Sequence, residues 1–321
     1  MTRSSTSRPL ISNRPAPPTP QAAPVVFDRA LVRQHRTSSA AQFGDYAYLH
    51  ARALDDLLDR VCLITRDFET CLIMGAGPAL ADALDHHDAR AKMKHIITAD
   101  LSEARLRGSP YPSLCLDEER LPLGEARFDL IISVLHLHWT NDPVGALIQM
   151  NYALKPDSFF ASALLGGKTL HELRHALHAT DEAQGRAQAR RISPFADTMD
   201  FAQLLSRAGF NMPVSDIDRV NVRFGNAFSL MRDLRGMGET NALIERPREV
   251  PSRDYFLEAS ARYHDQFGHE DGKIPATFEI IHGAAWAPHP DQPKPKRPGS
   301  AKVSLAEALG TQEISAGDKA G

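Results

Sequence analysis

The chain has 321 residues, 42% of them apolar and 24% charged, with a formal net charge of −3. This is the balance of a globular protein with room for one large domain or two smaller ones, without bias toward nucleic acid or acidic membranes. No apolar run approaches the roughly 18 residues of a membrane span, leaving at most peripheral membrane association. Three scattered cysteines, Cys62, Cys71 and Cys115, form neither a CxxC pair nor a disulfide framework, which points to a reducing compartment such as a bacterial cytoplasm.

Residues 1–26 are expected to be a disordered tail, because their first 24 residues hold six prolines and no acid precedes Asp28. An Arg- and Ser-rich, acid-free start is also the composition of an organelle transit peptide, but the prolines oppose the amphipathic helix such peptides need. Residues 27–290 are expected to fold, and 291–321 read as a Pro/Lys-rich linker and a flexible tail. Residues 46–64 predict a helix, with Leu54, Leu57, Leu58 and Val61 on one face and Asp55, Asp56, Asp59 and Arg60 opposite.

Thr70-Cys-Leu-Ile-Met-Gly-Ala-Gly-Pro-Ala-Leu80 then reads as a buried strand, a turn with glycines at Gly75 and Gly77, and a helix start. In doubly wound α/β folds such a turn holds a nucleotide-like ligand, since glycine lets the backbone approach with no Cβ in the way. An ordinary strand-to-helix turn fits the motif equally well. His95 to Asp100 is a second strand ending in a carboxylate, roughly 25 residues after the glycines, where an acid suits ribose hydroxyls. Asp100 also suits a helix cap, and the two roles can coexist. Ser113–Leu116 makes a third strand, followed by Asp117-Glu118-Glu119.

Phe128 to Leu135 is a near-continuous apolar run, as expected for a central parallel strand covered on both faces. His136-Leu-His138-Trp139 follows at its carboxyl end. If extended, this stretch points both histidines to one side, as a general base or as metal ligands with a carboxylate. Histidines satisfied at a strand end, with Trp139 packed beneath, are the stronger reading. A helix at 143–154 and a strand at 159–165 complete an alternation that predicts a parallel sheet with right-handed crossovers.

Beyond this the pattern changes. Helices are expected at 169–184 and 197–208, the second closed by Gly209, with a turn at 192–195 between them. A strand is expected at 214–224, a mainly helical insertion at about 226–270 able to cover the carboxyl edge, and a last strand at 276–286. His171-Glu-Leu-Arg-His175 matches HExxH, yet lacks a third ligand suitably placed downstream, and among 14 histidines a chance match outweighs a zinc protease. No Asn-Pro-Pro-Tyr follows the fourth strand, and no basic patch carries interleaved aromatics, so nucleic acid is not the expected substrate.

The element order, with a glycine turn after strand one, an acid ending strand two, Asp117-x-x-x-Leu121-Pro122 after strand three and Phe128-Asp-Leu-Ile131 in strand four, resembles class I S-adenosylmethionine-dependent methyltransferases. That resemblance implies a Rossmann-like, mostly parallel seven-stranded sheet. Asp117-Glu-Glu119, Leu137-His-Trp139, Ile192-Ser-Pro-Phe195, Arg207-Ala-Gly-Phe210, Leu234-Arg-Gly-Met-Gly-Glu239 and Glu270-Asp-Gly272 narrow it further. They resemble the arginine hydroxylase assembly-factor family of respiratory complex I, over about residues 27–309, with Gly-Met-Gly-Glu the most specific stretch. The family resemblance implies a protein substrate, an iron–sulfur subunit of complex I, and a mitochondrial matrix location as the alternative to the cytoplasm. It also implies an S-adenosylmethionine site in which Gly75 and Gly77 face the methionine part, Asp100 holds the ribose, and Asp117 meets the adenine amino group with Glu118 beside it. The family pattern places an acid where Ile73 stands and a third glycine where Ala79 stands, which weakens the expected hold on the cofactor. A small-molecule or carrier-protein methyltransferase and a non-catalytic assembly module are the alternatives.

Overall fold

The computed structural model describes residues 24–187, 189–193, 198–293, 303, 307–308 and 310–311. The chain divides into two units at Pro288 and His289, and everything below concerns the first. Its elements in chain order are α1 (Arg29–Ser39), α2 (Phe43–Tyr46), α3 (Tyr48–Cys62), β1 (Phe68–Met74), α4 (Pro78–His86), β2 (Met93–Asp100), α5 (Glu103–Leu106), β3 (Ser113–Cys115) and β4 (Phe128–Val134). There follow α6 (Pro143–Ala153), β5 (Leu154–Leu165), α7 (His171–Ala183), α8 (Thr198–Arg207), β6 (Asn211–Phe224), α9 (Ala227–Met237), α10 (Arg253–Phe267) and β7 (Ile274–Trp286).

The seven strands form one sheet in the order β3-β2-β1-β4-β5-β7-β6. The first five are parallel, and β7 inserts antiparallel between β5 and β6. This is the mostly parallel, Rossmann-like seven-stranded sheet that the family resemblance implies, its parallel part being what the apolar runs and their spacing predict. Alternation along the strands splits the core. Cys71, Ile73, Leu130 and Ile132 face α3, α4, α7 and α10, whereas Leu72, Met74 and Ile131 face α6 and α8. Strand order reverses between β1 and β4, so the crossovers leave on opposite faces and a crevice opens at the strands' carboxyl ends.

Several boundaries differ from expectation for local reasons. The helix expected at 46–64 is broken at Ala47, so Phe43–Tyr46 and Tyr48–Cys62 are separate helices. Strand β5 begins at Leu154, continuous with the end of α6, and not after the Lys155-Pro156-Asp157 stop. The insertion is helical only at Ala227–Met237 and Arg253–Phe267, because Gly238 in the left-handed region (φ 81°) closes the first helix and Pro247 and Pro251 hold the segment between open. Gly209 closes α8 with φ 80°, as its type predicts. Ordered backbone begins inside the expected tail: Val26 and Phe27 both donate to Asn141 Oδ1 at 2.7 Å. Residues 194–195 of the turn expected at 192–195, and most of the tail and linker, lie outside the described residues.

The largest departure is α1, which no apolar period announces. Its buried residues are Val32, Arg36 and Ser39. A helix that buries a guanidinium against carboxylates instead of a leucine against leucines leaves no hydrophobic stripe to read.

Candidate functional site

Gly75 and Gly77 sit where β1 turns into α4. Gly75 has φ +81°, and a Cβ there would fall 2.3 Å from the Val134 carbonyl oxygen at the end of β4. Gly77 caps α4 ahead of Pro78, and a Cβ on it would meet the Arg105 carbonyl oxygen at 2.1 Å. Both glycines are therefore demanded by close backbone approach at the crevice. Ala79 lies within α4, where its helical backbone needs no glycine. Ile73 is fully buried and pairs with Ile132 and Thr98 on either side. An acid at that position would enter the apolar core on the α3 face.

Asp100 ends β2 and is buried; its Oδ1 accepts from the Ser102 amide at 2.8 Å. Its Oδ2 lies 3.6 Å from Arg36 Nη1 and 3.7 Å from His136 Nε2. Burial alone would raise this carboxyl, yet Arg36 and His136 hold it down at about 2. Arg36 Nη1 also lies against His136 Nε2. Burial and Arg36 act against a charge on this ring, and Glu118 with Asp100 outweighs them, so its pKa is raised above the ordinary imidazole value. Nδ1 is 3.2 Å from Glu118 Oε1.

Glu118 is fully buried. Its carboxylate makes no aligned hydrogen bond, but Arg29 Nη2 stands 2.8 Å from Oε1. Burial acts against the charge, and His136 with Arg29 outweighs it, keeping Glu118 well below the ordinary carboxylate range. Arg29 also grips Asp117 Oδ1 at 2.7 Å and the Trp139 carbonyl at 3.0 Å. Arg29 and Arg36 are seven residues apart, two turns, so one face of α1 lays both over the carboxyl ends of β2, β3 and β4. That i, i+7 arginine pair was the only signal in the sequence for α1's role.

The second histidine belongs to a different cluster. Residues 137–139 form a 3₁₀ turn, not an extended chain, so His136 and His138 diverge and do not act as a joint ligand pair. His138 Nε2 donates to Glu239 Oε2 at 2.9 Å, and Trp139 Nε1 donates to the same oxygen at 2.8 Å. Trp139 meets Phe27 edge-on, with ring centroids 5.3 Å apart, and also lies tilted against the His138 ring at 5.5 Å. Glu239 follows the αL glycine that ends α9. Burial alone would raise its carboxyl, and His138 holds it at about 2. Arg105 anchors this turn, donating to the Met237 carbonyl at 2.5 Å and to Ser39 Oγ at 2.9 Å.

Two spaces adjoin these groups. A cavity of about 10 Å³ lies among Gly75, Asp100, Arg105, Arg36 and His136. A pocket of about 370 Å³ has an apolar wall that includes Leu49, Leu135, Leu165, Leu173, Met231 and Phe278. His50, Leu135, Met237 and Glu239 line both. The donor set at Asp100, Asp117 and Glu118 fits S-adenosylmethionine, and Glu118's unaligned carboxylate oxygens are the kind of group a ligand satisfies. The space does not fit: the cavity beside Asp100 holds only about 10 Å³, and α1 places Arg36 against Asp100 and Arg29 against Asp117 and Glu118, the side chains expected to hold the ribose and adenine. The histidines of the HExxH stretch lie elsewhere, against Phe267, while Glu172 is buried and hydrogen-bonded to Thr277.

Residues 74–162 match the model of a methyltransferase-domain family. The mitochondrial arginine-hydroxylase NDUFAF5 of Danio rerio is 39% identical over 289 residues, covering 88% of this chain and 89% of that protein. The malonyl-[acyl-carrier protein] O-methyltransferase of Methylovorus sp. (strain MP688) is 31% identical over 277 residues, 82% of this chain and 90% of that one. Among solved structures, phosphoethanolamine N-methyltransferase 2 of Haemonchus contortus, holding S-adenosylhomocysteine, is 12% identical with a TM-score of 0.48, covering 81% of this chain and 60% of its own. With the Gly236-Met-Gly-Glu239 turn placed in the crevice and the higher identity on the hydroxylase side, the chain belongs to the family of the arginine-hydroxylase NDUFAF5.

Proposed function

We propose that this protein hydroxylates an arginine of a protein partner during assembly of respiratory complex I, the partner being an iron–sulfur subunit; the two-electron oxidation of the arginine needs an external oxidant, which neither this chain's side chains nor S-adenosylmethionine supplies. The observation that carries the reading is Glu239. Its buried carboxylate is held through one oxygen by His138 and Trp139 at the inner end of a largely apolar pocket. An arginine side chain is an aliphatic stem tipped by a planar cation; the pocket offers leucines for the stem and Glu239 for the guanidinium, with Glu249 and the arginines Arg191, Arg235 and Arg246 also on its wall. His138 is the positioning residue for that carboxylate. His136, in contact with Asp100, Glu118 and Arg36, is assigned to the cofactor side of the crevice.

On this reading S-adenosylmethionine is held by Gly75, Gly77, Asp100, Asp117 and Glu118 once Arg36 and Arg29 withdraw. The protein's own contribution is to orient the guanidinium, exclude water and keep Asp100 and Glu239 ionised. The compartment is wherever the partner is assembled, a bacterial cytoplasm or the mitochondrial matrix.

The test is deletion of the gene followed by mass mapping of the complex I iron–sulfur subunit. The reading requires an arginine bearing one extra oxygen in the parent strain, absent from the deletion and restored by the intact gene. An arginine hydroxyl that persists in the deletion strain overturns it.

A further inference from the structure

Where α3 crosses β7 and β6, six residues beyond His50 and so about 9 Å further along the helix, three potential ligands converge. Asp56 on α3, Asp218 on β6 and His282 on β7 each present one ligand atom, all within 4.8 Å of one another. Among the described residues no other three such side chains come together in this way. Neither glutamates nor arginines of the crevice take part.

His282 is the second observation. Its side chain is 1% exposed, and neither ring nitrogen has a hydrogen-bond partner. Buried polar groups in folded proteins are bonded, so an imidazole bare at both nitrogens needs an explanation. Its Nε2 stands 3.4 Å from Asp56 Oδ2. That is long for an N–H···O hydrogen bond, and it equals the edge of a tetrahedron whose metal–ligand bonds are about 2.1 Å. Burial, followed by Arg60, lowers the pKa of this ring.

The charges around the site are uneven. Arg60 is taken by Asp216 through two hydrogen bonds of 2.8 and 2.9 Å, and Arg52 Nε takes one oxygen of Asp218 at 2.6 Å. Asp218 keeps its second oxygen. Asp56, Asp216 and Asp218 thus face two guanidiniums and a neutral imidazole, leaving one negative charge uncompensated.

We propose that Asp56, Asp218 and His282 bind one divalent transition-metal ion, with Zn²⁺ the best match to an imidazole–dicarboxylate set. Asp56 and Asp218 are partly exposed, so the fourth position opens to solvent. The ion ties α3, which carries His50 to the pocket, to the antiparallel edge of the sheet.

The test strips the full-length protein with chelator, then titrates it with Zn²⁺ by calorimetry and with Co²⁺ by visible absorption. The wild type is expected to take one equivalent, with a tetrahedral Co²⁺ spectrum and a rise in Tm. Asp56→Asn and His282→Gln are expected to weaken binding at least tenfold, while the double variant His171→Gln/His175→Gln binds as wild type. Asp56 is half-buried on a helix surface, so D56N reports on the site even where H282Q fails to fold. No stoichiometric binding by the wild type, or unchanged affinity and spectrum in D56N, overturns the proposal.

Discussion

Arg36 Nη1 lies 3.6 Å from Asp100 Oδ2, so the acid that ends β2 is neutralised by the chain's own first helix. This pair closes the crevice that the sheet's strand reversal opens. Arg36→Ala should therefore act in two opposed ways. Removing one partner of a buried pair costs about 3 to 5 kcal/mol of stability. The same change frees the space beside Asp100 and should tighten S-adenosylmethionine binding at least tenfold over wild type. Calorimetric titration and ligand-dependent Tm check both; equal affinities would show that α1 is no barrier.

Glu239→Gln keeps the shape of the pocket and removes its charge. Substrate arginine hydroxylation should fall at least tenfold, measured as the modified fraction of the partner subunit in a complemented deletion strain. His138 and Trp139 can still donate to the amide oxygen, so the stability loss should stay near 1 to 2 kcal/mol. Full hydroxylation by this variant would remove Glu239 from the substrate site.

Acid sensitivity should show two stages. His50 is pushed down to about 3 by burial. Below its unfolded value near 6.5 the unfolded chain binds a proton that the folded one refuses. Stability should therefore drop by about 2 kcal/mol between pH 6.5 and 5. Asp100 and Glu239, both held near 2, act lower: their contribution is complete above about pH 4.5 and is lost as pH falls toward 2. Urea unfolding across this range measures both stages, and His50→Leu should shrink the first while leaving the second unchanged.

The family's Gly-Met-Gly-Glu stretch has a packing reason at its first glycine. A Cβ on Gly236 would sit 2.2 Å from the Tyr46 ring, and Gly238 needs its positive φ. Gly236→Ala should cost about 1 to 3 kcal/mol through overpacking, seen as a fall in Tm of several degrees. An unchanged Tm would mean that Tyr46 moves aside freely.

The HExxH stretch separates by residue. Glu172 serves the Thr277 amide and hydroxyl, so Glu172→Ala should cost about 1 to 3 kcal/mol. His171→Ala and His175→Ala should each stay within about 0.5 kcal/mol. Chemical denaturation distinguishes the pattern; a large loss for either histidine would contradict it.

The sequence alone determined the sheet and its crevice. Apolar runs at Leu72–Met74 and Phe128–Leu135, the glycines after the first and the acid ending β2 are local signals. They follow from strands covered on both faces and from turns that only glycine can make. Tertiary structure decided what fills the crevice. Arg36 meets Asp100 and His136, and His138 meets Glu239 across 101 residues of chain. No spacing rule links such partners. Hydrophobic periodicity records the burial of apolar faces, and α1 buries charge instead. Its inward side is stabilised by pairing with carboxylates that only the folded sheet brings within reach.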